Sequence, residues 1–170
     1  MPITFRAKIT AEDLFRFNMR HAYTSFSGIV SIIAGVLIYV IAILMHERLG
    51  TENVVLYCIL GTLFLVYTPL HLKLRSKTVM AMDSPLSHEI TYTLREDGMA
   101  IETEVAGEGN ENKAFFPYDQ MYKVALTKRD LLIYSSRRNA YIIPRSNIED
   151  QLDGITQVFR DKLDAYRLSL

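Results

Sequence analysis

The sequence has little cysteine and no excess of charge of either sign. Among its 170 residues there are 19 basic and 19 acidic side chains, and one cysteine, Cys58. A single cysteine excludes a disulfide within the chain and a metal site built only from cysteines. The zero net charge leaves no overall attraction to nucleic acid or another polyanion. We therefore predict no nucleic-acid partner.

The sequence also lacks the motifs of common catalytic and cofactor sites. Its four histidines are not spaced as ligands of one metal ion, and His88-Glu89 lacks the second histidine of a zinc-protease helix. The segment Gly107-Glu108-Gly109 is interpreted as an acidic turn and not as a phosphate loop. We predict no metal, no cofactor, no catalytic residue and no enzyme activity. An unrecognised membrane enzyme stays open as the alternative.

Two long runs without charged residues cover residues 26–45 and 54–70. The first is rich in Ile, Leu and Val, and at about 1.5 Å per residue it covers the roughly 30 Å of a bilayer core. Insertion of such a run is favoured by several kcal/mol. The second run is near the minimum length of a span and extends to residue 72. We predict a transmembrane hairpin over residues 26–72, with spans at 26–45 and 54–72 and an external loop at 46–53.

Basic residues lie on both sides of this hairpin, whereas its loop holds only Arg48 beside two glutamates. Positive residues favour the cytoplasmic side, so both termini are predicted to be cytoplasmic. The two apolar runs contain no carboxylate, amine or imidazole, which argues against an ion-coupled transporter. The flanking basic residues are Arg6, Lys8, Arg16, Arg20, Lys73, Arg75 and Lys77.

Small residues form a stripe on one face of the first span and a patch on the second. Such stripes let helix backbones approach closely in lipid. The pattern favours packing within the hairpin and leaves a homo-oligomer interface open. The candidate helix-packing face is Ser27, Ser31, Gly35 and Gly61.

Residues 1–25 are predicted to form a strand followed by a juxtamembrane helix. Apolar and polar residues alternate over residues 3–9, which is the period of a half-buried strand. Thr10 and Asp13 form a capping box for a helix over residues 11–23. We expect this helix to run directly into the first span.

Residues 73–170 are predicted to form a cytoplasmic β domain with a C-terminal amphipathic helix. Short strands with turn residues between them recur over residues 90–144, which indicates an antiparallel meander. Ser146 and Glu149 form a second capping box, for a helix reaching Arg167 with Tyr166 on its apolar stripe. The fold class is α+β, with a small antiparallel sheet or partial barrel that the strand at residues 3–9 joins.

The chain resembles the YcxB-like family of bacterial membrane proteins over nearly its whole length. The resemblance implies a multi-pass protein of the bacterial inner membrane with a pleckstrin-homology-like cytoplasmic domain, and it supplies no catalytic residue. Similarity of some members to proteins encoded beside secreted toxins implies an immunity role, with a toxin or a membrane complex as partner. The motifs that carry the resemblance are residues 5–13, Phe116-Pro117-Tyr118 before Val124, residues 131–134, and Ala140-Tyr141-Ile142-Ile143-Pro144-Arg145.

Charge patterning in the cytoplasmic part points to binding. Residues 123–145 hold six basic residues and one acid, whereas residues 96–111 hold six acids and no base. The basic turns fit anionic lipid headgroups, at about 1 kcal/mol per residue, and they equally fit a solvated edge that guards strands against aggregation. A protein partner that matches the acidic segment is the third alternative. The candidate lipid- or partner-binding residues are Lys128, Arg129, Arg137 and Arg138.

The function predicted from these observations is that of a non-enzymatic integral membrane binding protein. An immunity protein against a toxin is its first form. A membrane-tethered regulatory or lipid-headgroup-binding domain is the second.

Overall fold

The computed structural model describes residues 2–82, 85–103 and 112–170. The chain forms two compact units. Met1–Leu14 and Thr78–Leu170 make a β unit, and Phe15–Lys77 makes a helical unit. The protein is thus a mixed α+β chain with two long apolar helices and antiparallel sheets, as the sequence predicted. The predicted acidic turn at Gly107-Glu108-Gly109 lies outside the described residues.

Sheet A of the β unit contains four antiparallel strands in chain order. They are β1 (Ile3–Ala7), β2 (Ile90–Leu94), β3 (Gly98–Thr103) and β4 (Asn112–Pro117). Strand β1 lies along β2, with Ile3 opposite Leu94 and Ala7 opposite Ile90. The strand before the apolar helices therefore shares a sheet with the strands that follow them.

Sheet B contains β5 (Lys123–Leu126), β6 (Asp130–Tyr134), β7 (Ala140–Pro144) and β8 (Leu168–Ser169), in the order β7-β6-β5-β8. The sequence predicted a small antiparallel sheet or partial barrel, and the structure differs from a single antiparallel sheet in two ways. The strands divide into two sheets after β4, where Pro117 offers no N–H to a ladder and a 3-10 turn follows. In addition, β8 pairs in parallel with β5.

The apolar core of the β unit is formed by strands of both sheets and by helix α4 (Leu152–Lys162). The Phe5 and Tyr92 rings stack with their centroids 5.4 Å apart. The Tyr118 ring forms a T-shaped pair with Phe159, a fully buried residue of α4, with the ring centroids 6.2 Å apart. Burial of such aromatic rings contributes strongly to the stability of a small core.

Helix α4 is shorter than the sequence predicted. A helix from Ser146 to Arg167 was expected, but 3-10 turns occupy Arg145–Asn147, Glu149–Gln151 and Ala165–Arg167. Ile148 is buried, and its backbone (φ −130°, ψ 12°) interrupts the first helical turn. At the other end Leu163 is extended (φ −119°, ψ 146°), so the chain turns towards β8.

Three helices follow β1 along the chain: α1 (Ala11–Thr24), α2 (Phe26–Leu44) and α3 (His46–Ala81). Helix α1 was expected to run directly into the first span, and this was wrong. Ser25 is extended (φ −76°, ψ 149°), and its hydroxyl caps α2 by accepting a 3.1 Å hydrogen bond from the Gly28 N–H. The backbone is so close here that a Cβ on Gly28 would lie 1.7 Å from the Ala22 carbonyl oxygen.

The predicted loop at residues 46–53 is also different in the structure, because most of it is helical. Helix α3 begins at His46 and is broken only at Gly50, whose φ of 74° lies in the left-handed region that favours glycine. The break separates one short turn from the long helix Gly50–Ala81.

Among the residues that the structure describes, two helices are long and apolar enough to cross a membrane, Phe26–Leu44 and Gly50–Ala81. In the most apolar 18-residue stretch of each helix, only 11% of the first and 6% of the second is buried. The core helix of a soluble protein is mostly buried, so these helices do not have that character.

Candidate functional site

The four predicted binding residues lie at two turns of sheet B. Lys128 and Arg129 are in the turn between β5 and β6, and Arg137 and Arg138 are in the turn between β6 and β7. Because both turns adjoin β6, they lie at opposite ends of that strand. Its five residues span about 16 Å at roughly 3.3 Å per residue. That exceeds the Debye length of about 8 Å at physiological salt, so the two pairs do not act as one charged surface.

One of these ends, here called the Lys128 end, comprises residues 126–130 and 144–147. The Thr127 hydroxyl shapes its turn by accepting from the Asp130 N–H at 2.8 Å and from the Arg129 N–H at 3.3 Å. The Arg145 N–H donates to the Arg129 carbonyl at 2.7 Å, which adds a third basic residue. Asp130 is an acid within this end, and its side chain is buried.

The opposite end, here called the Arg137 end, comprises residues 121–123 and 134–140, with Tyr166 beside them. Its turn is held by its own hydrogen bonds. The Ser136 hydroxyl accepts from the N–H groups of Arg138 at 3.3 Å and Asn139 at 3.1 Å. The Ser135 N–H donates to the Asn139 carbonyl at 3.0 Å. Arg137 and Arg138 are exposed on this turn.

The start of β5 adds a third basic residue and an aromatic one to the Arg137 end. Lys123 lies opposite Tyr134, the residue that precedes the turn. The Tyr122 N–H donates to the Tyr134 carbonyl at 2.9 Å, and the Tyr122 side chain is 50% exposed. The Arg137 end thus carries Lys123, Arg137 and Arg138, which matches the three basic residues of the Lys128 end.

Strand β8 brings Tyr166 and Arg167 to the Arg137 end, because Leu168 lies beside Val124 in parallel register. The Arg167 guanidinium donates to the carbonyl of Asp119 at 3.0 Å and to that of Met121 at 3.2 Å. Its Nε donates to the Tyr166 hydroxyl at 2.9 Å, and this bond, together with nearby carboxylates, raises the pKa of Arg167. Arg167 is therefore already engaged, whereas the Tyr166 ring is 76% exposed.

The sequence analysis did not predict that the basic residues divide between the two ends of β6. It also did not predict that Tyr122 and Tyr166 lie beside one of these ends. The division could have been found, because consecutive turns of a meander always lie at opposite ends of the shared strand. Tyr122 was also visible beside Lys123 at the start of a predicted strand. The position of Tyr166 could not have been found in this way, because the sequence placed Tyr166 on the apolar stripe of a longer helix, and that expectation was wrong. Its position depends on β8, which is two residues long.

The predicted helix-packing face is partly occupied within the chain. Gly35 is buried, and a Cβ there would lie 2.5 Å from Cδ2 of Leu65 on α3. Gly61 is also buried, and a Cβ there would lie 2.8 Å from Cε2 of the Tyr39 ring on α2. The Tyr39 hydroxyl also hydrogen-bonds the Thr62 hydroxyl. Ser31 is half-buried and Ser27 is exposed, so the stripe is not equally covered along its length.

A polar cleft of the β unit lies beside α4 and is lined by Asp97, Tyr118, Asp119 and Lys162, among others. The Tyr118 hydroxyl donates to the Arg95 carbonyl at 3.0 Å. Burial, with Asp97 nearby, raises the pKa of Tyr118 to about 12, so it is a neutral donor at physiological pH. Over residues 2–82, 85–103 and 112–170, no group of three or more His, Cys, Asp or Glu side chains is placed to hold a metal ion.

No protein-family model, curated protein or solved structure matches the chain. Membership of the YcxB-like family, the pleckstrin-homology-like fold and the immunity role stay predictions from the motifs.

Proposed function

We propose that this protein is a membrane-anchored binding protein, in which α2 and α3 form a transmembrane hairpin and the β unit binds its ligand in the cytoplasm. The observation that carries the anchor is the exposure of the apolar helices. Phe26 is 84% exposed and Leu44 is 77% exposed, and most large apolar side chains between them are exposed as well. Water does not tolerate so much contiguous apolar surface, whereas lipid matches it.

Helix lengths and flanking charges support the same arrangement. Helix α2 has 19 residues, or about 28 Å, close to the thickness of a bilayer core. The helix Gly50–Ala81 has 32 residues, or about 48 Å, so it is long enough to leave the bilayer before it ends. The basic residues near its C-terminal end and those of α1 favour the cytoplasmic side. These residues are Arg16, Arg20, Lys73, Arg75 and Lys77.

An immunity role is the form of this function that the resemblance implies, with a toxin as the partner. We propose that such a toxin binds the β unit and not the small-residue stripe, because Gly35 on that stripe is already packed against Leu65. Cells that express a toxin encoded beside this gene should survive when the spans are replaced by unrelated ones. Loss of survival on span replacement would indicate that the toxin is recognised by the helices.

The anchor is tested by cysteine labelling in intact bacteria, in a Cys58→Ser background. With Thr51→Cys, at the start of the long α3 helix, we expect reaction with a membrane-impermeant thiol reagent. With Asn139→Cys, in the β6–β7 turn, we expect reaction only after lysis. The Cys58→Ser protein alone is the control. The reverse pattern would refute the topology, and release of the protein from membranes at alkaline pH would refute the anchor.

A further inference from the structure

We infer that the Arg137 end of sheet B, and not the Lys128 end, is a docking surface for the anionic headgroups of the membrane that holds the anchor. This inference rests on the proposed function. It assigns one ligand class, anionic lipid, to one of two surfaces of nearly equal charge. The Lys128 end is then a solvated edge.

The two ends are alike in basic residues, so charge alone does not choose between them. Lys123, Arg137 and Arg138 stand at one end, and three other basic residues stand at the other. In the part of the chain that the structure describes, the three at the Arg137 end form no ion pair. Their charges are therefore available to a ligand.

Exposed aromatic side chains distinguish the two ends. Tyr122 is 50% exposed and Tyr166 is 76% exposed, and both border the Arg137 end. At the Lys128 end, residues 126–130 and 144–147 include no aromatic residue. Tyrosine is enriched where membrane meets water, because its ring enters the apolar boundary while its hydroxyl stays at headgroup level. Basic residues beside exposed tyrosines are the combination that suits an anionic bilayer surface.

The two turns differ in acidic residues in the same direction. Asp130 lies within the Lys128 end, directly after Arg129. Residues 121–123 and 134–140 of the Arg137 end contain no acid. Asp119 and Asp164 interact electrostatically with Arg167, which is not a headgroup ligand in this proposal because its guanidinium is bound to backbone carbonyls.

The turn itself is suited to docking because it is already ordered. Four backbone N–H groups donate hydrogen bonds to the Ser136 hydroxyl or the Asn139 carbonyl and so hold the turn, and Arg137 and Arg138 are exposed on it. A preformed turn loses little conformational entropy on binding. The proposed anchor adds to this, because it keeps the domain at a high effective concentration of lipid.

The experiment places the full chain, with Cys58→Ser, in nanodiscs of phosphatidylcholine alone or of equal parts phosphatidylcholine and phosphatidylglycerol. A fluorophore is attached to Asn139→Cys at the Arg137 end or to Ser146→Cys at the Lys128 end. Both positions are exposed, and Asn139 contributes only backbone atoms to the hydrogen bonds of its turn. Lipids that carry a nitroxide on the headgroup then quench a label that approaches the bilayer.

We expect phosphatidylglycerol to increase quenching at Asn139→Cys far more than at Ser146→Cys, and added salt to reverse the increase. Each Lys or Arg near an anionic surface shifts the docking equilibrium roughly fivefold. Replacing Lys123, Arg137 and Arg138 by Gln should therefore reduce the ratio of docked to undocked protein about 100-fold. Replacing Lys128, Arg129 and Arg145 by Gln removes the same charge and should change quenching little. Tyr166→Ser should weaken docking without removing it.

Equal quenching of the two labels, an equal effect of the two triple variants, or quenching independent of phosphatidylglycerol would each overturn the inference. Absence of quenching at low salt would do so as well, and would leave an acidic protein as the occupant of the Arg137 end. Recovery of the chain free of lipid would instead refute the anchor, so failure of the proposed function is seen before the labels are compared.

Discussion

Gly28 provides the sharpest test of how α1 and α2 are joined. A Cβ at this position would lie 1.7 Å from the Ala22 carbonyl oxygen, whereas real Cβ contacts essentially never fall below 3.0 Å. The clash is with backbone, so no rotation of a side chain relieves it. In Gly28→Ala, the bend at Ser25 must therefore open.

The expected size of this effect follows from two opposing terms. Overpacking costs about 3 kcal/mol at the upper end of its usual range, which suits a rigid backbone neighbour. Alanine gains about 1 kcal/mol over glycine in a helix. The net local destabilisation is then about 2 kcal/mol, which corresponds to a roughly 30-fold loss of amide protection.

Hydrogen exchange of the detergent-solubilised full chain, read by mass spectrometry on peptides over residues 20–30, measures this loss. Gly154→Ala in α4 is the matched control, since its nearest neighbour, the Ile3 side chain, is 3.5 Å from the new Cβ. Its own peptide should gain protection by up to about fivefold. If Gly28→Ala leaves residues 20–30 equally or better protected, α1 and α2 do not bend at Ser25 and form the continuous helix that the sequence pattern predicts.

Two further substitutions probe packing in each unit. Gly35→Leu should weaken the contact between α2 and α3 by about 1–3 kcal/mol in a titration with denaturing detergent, and adding Leu65→Ala should recover part of the loss; no recovery would contradict the contact. Tyr118→Phe should cost about 1 kcal/mol near neutral pH, since the hydrogen bond to the Arg95 carbonyl is lost. Because the pKa of Tyr118 is raised to about 12, its contribution is complete below pH 10, the ordinary tyrosine pKa, and is lost as the pH rises towards 12. Chemical denaturation should show that the free energy of unfolding falls less in the Phe variant than in the unchanged protein as the pH rises from 10 towards 12. An equal fall in both proteins would refute the assignment.

Features that depend on a few neighbouring residues could be predicted from the sequence. Strand β7 has the predicted bounds, Ala140–Pro144, because a short apolar run between turn residues determines it. The capping box was also confirmed, since the Thr10 N–H donates to the Asp13 carboxylate at 2.8 Å. Both are interactions within one turn or one strand, which local composition specifies.

Features that depend on distant contacts could not be predicted. Helix α4 starts at Leu152 and not near Ser146, since burial of Ile148 in the core outweighs the local capping pattern. The parallel pairing of β8 with β5 joins residues more than forty positions apart. Tyr166 is exposed as a consequence, although its spacing placed it on the apolar stripe.

By itself, the sequence determined the two apolar helices, the β-rich remainder and the presence of two basic turns. Each follows from residue type over a short window, where hydrophobic and turn propensities act directly. Only the tertiary structure decided which side chains lie together. It bends the chain at Ser25 against Gly28, packs Gly35 on Leu65, and gathers Tyr122, Tyr166 and the Arg137 turn at one end of sheet B. Such groupings depend on strand register and side-chain packing between distant segments, and no local pattern specifies these.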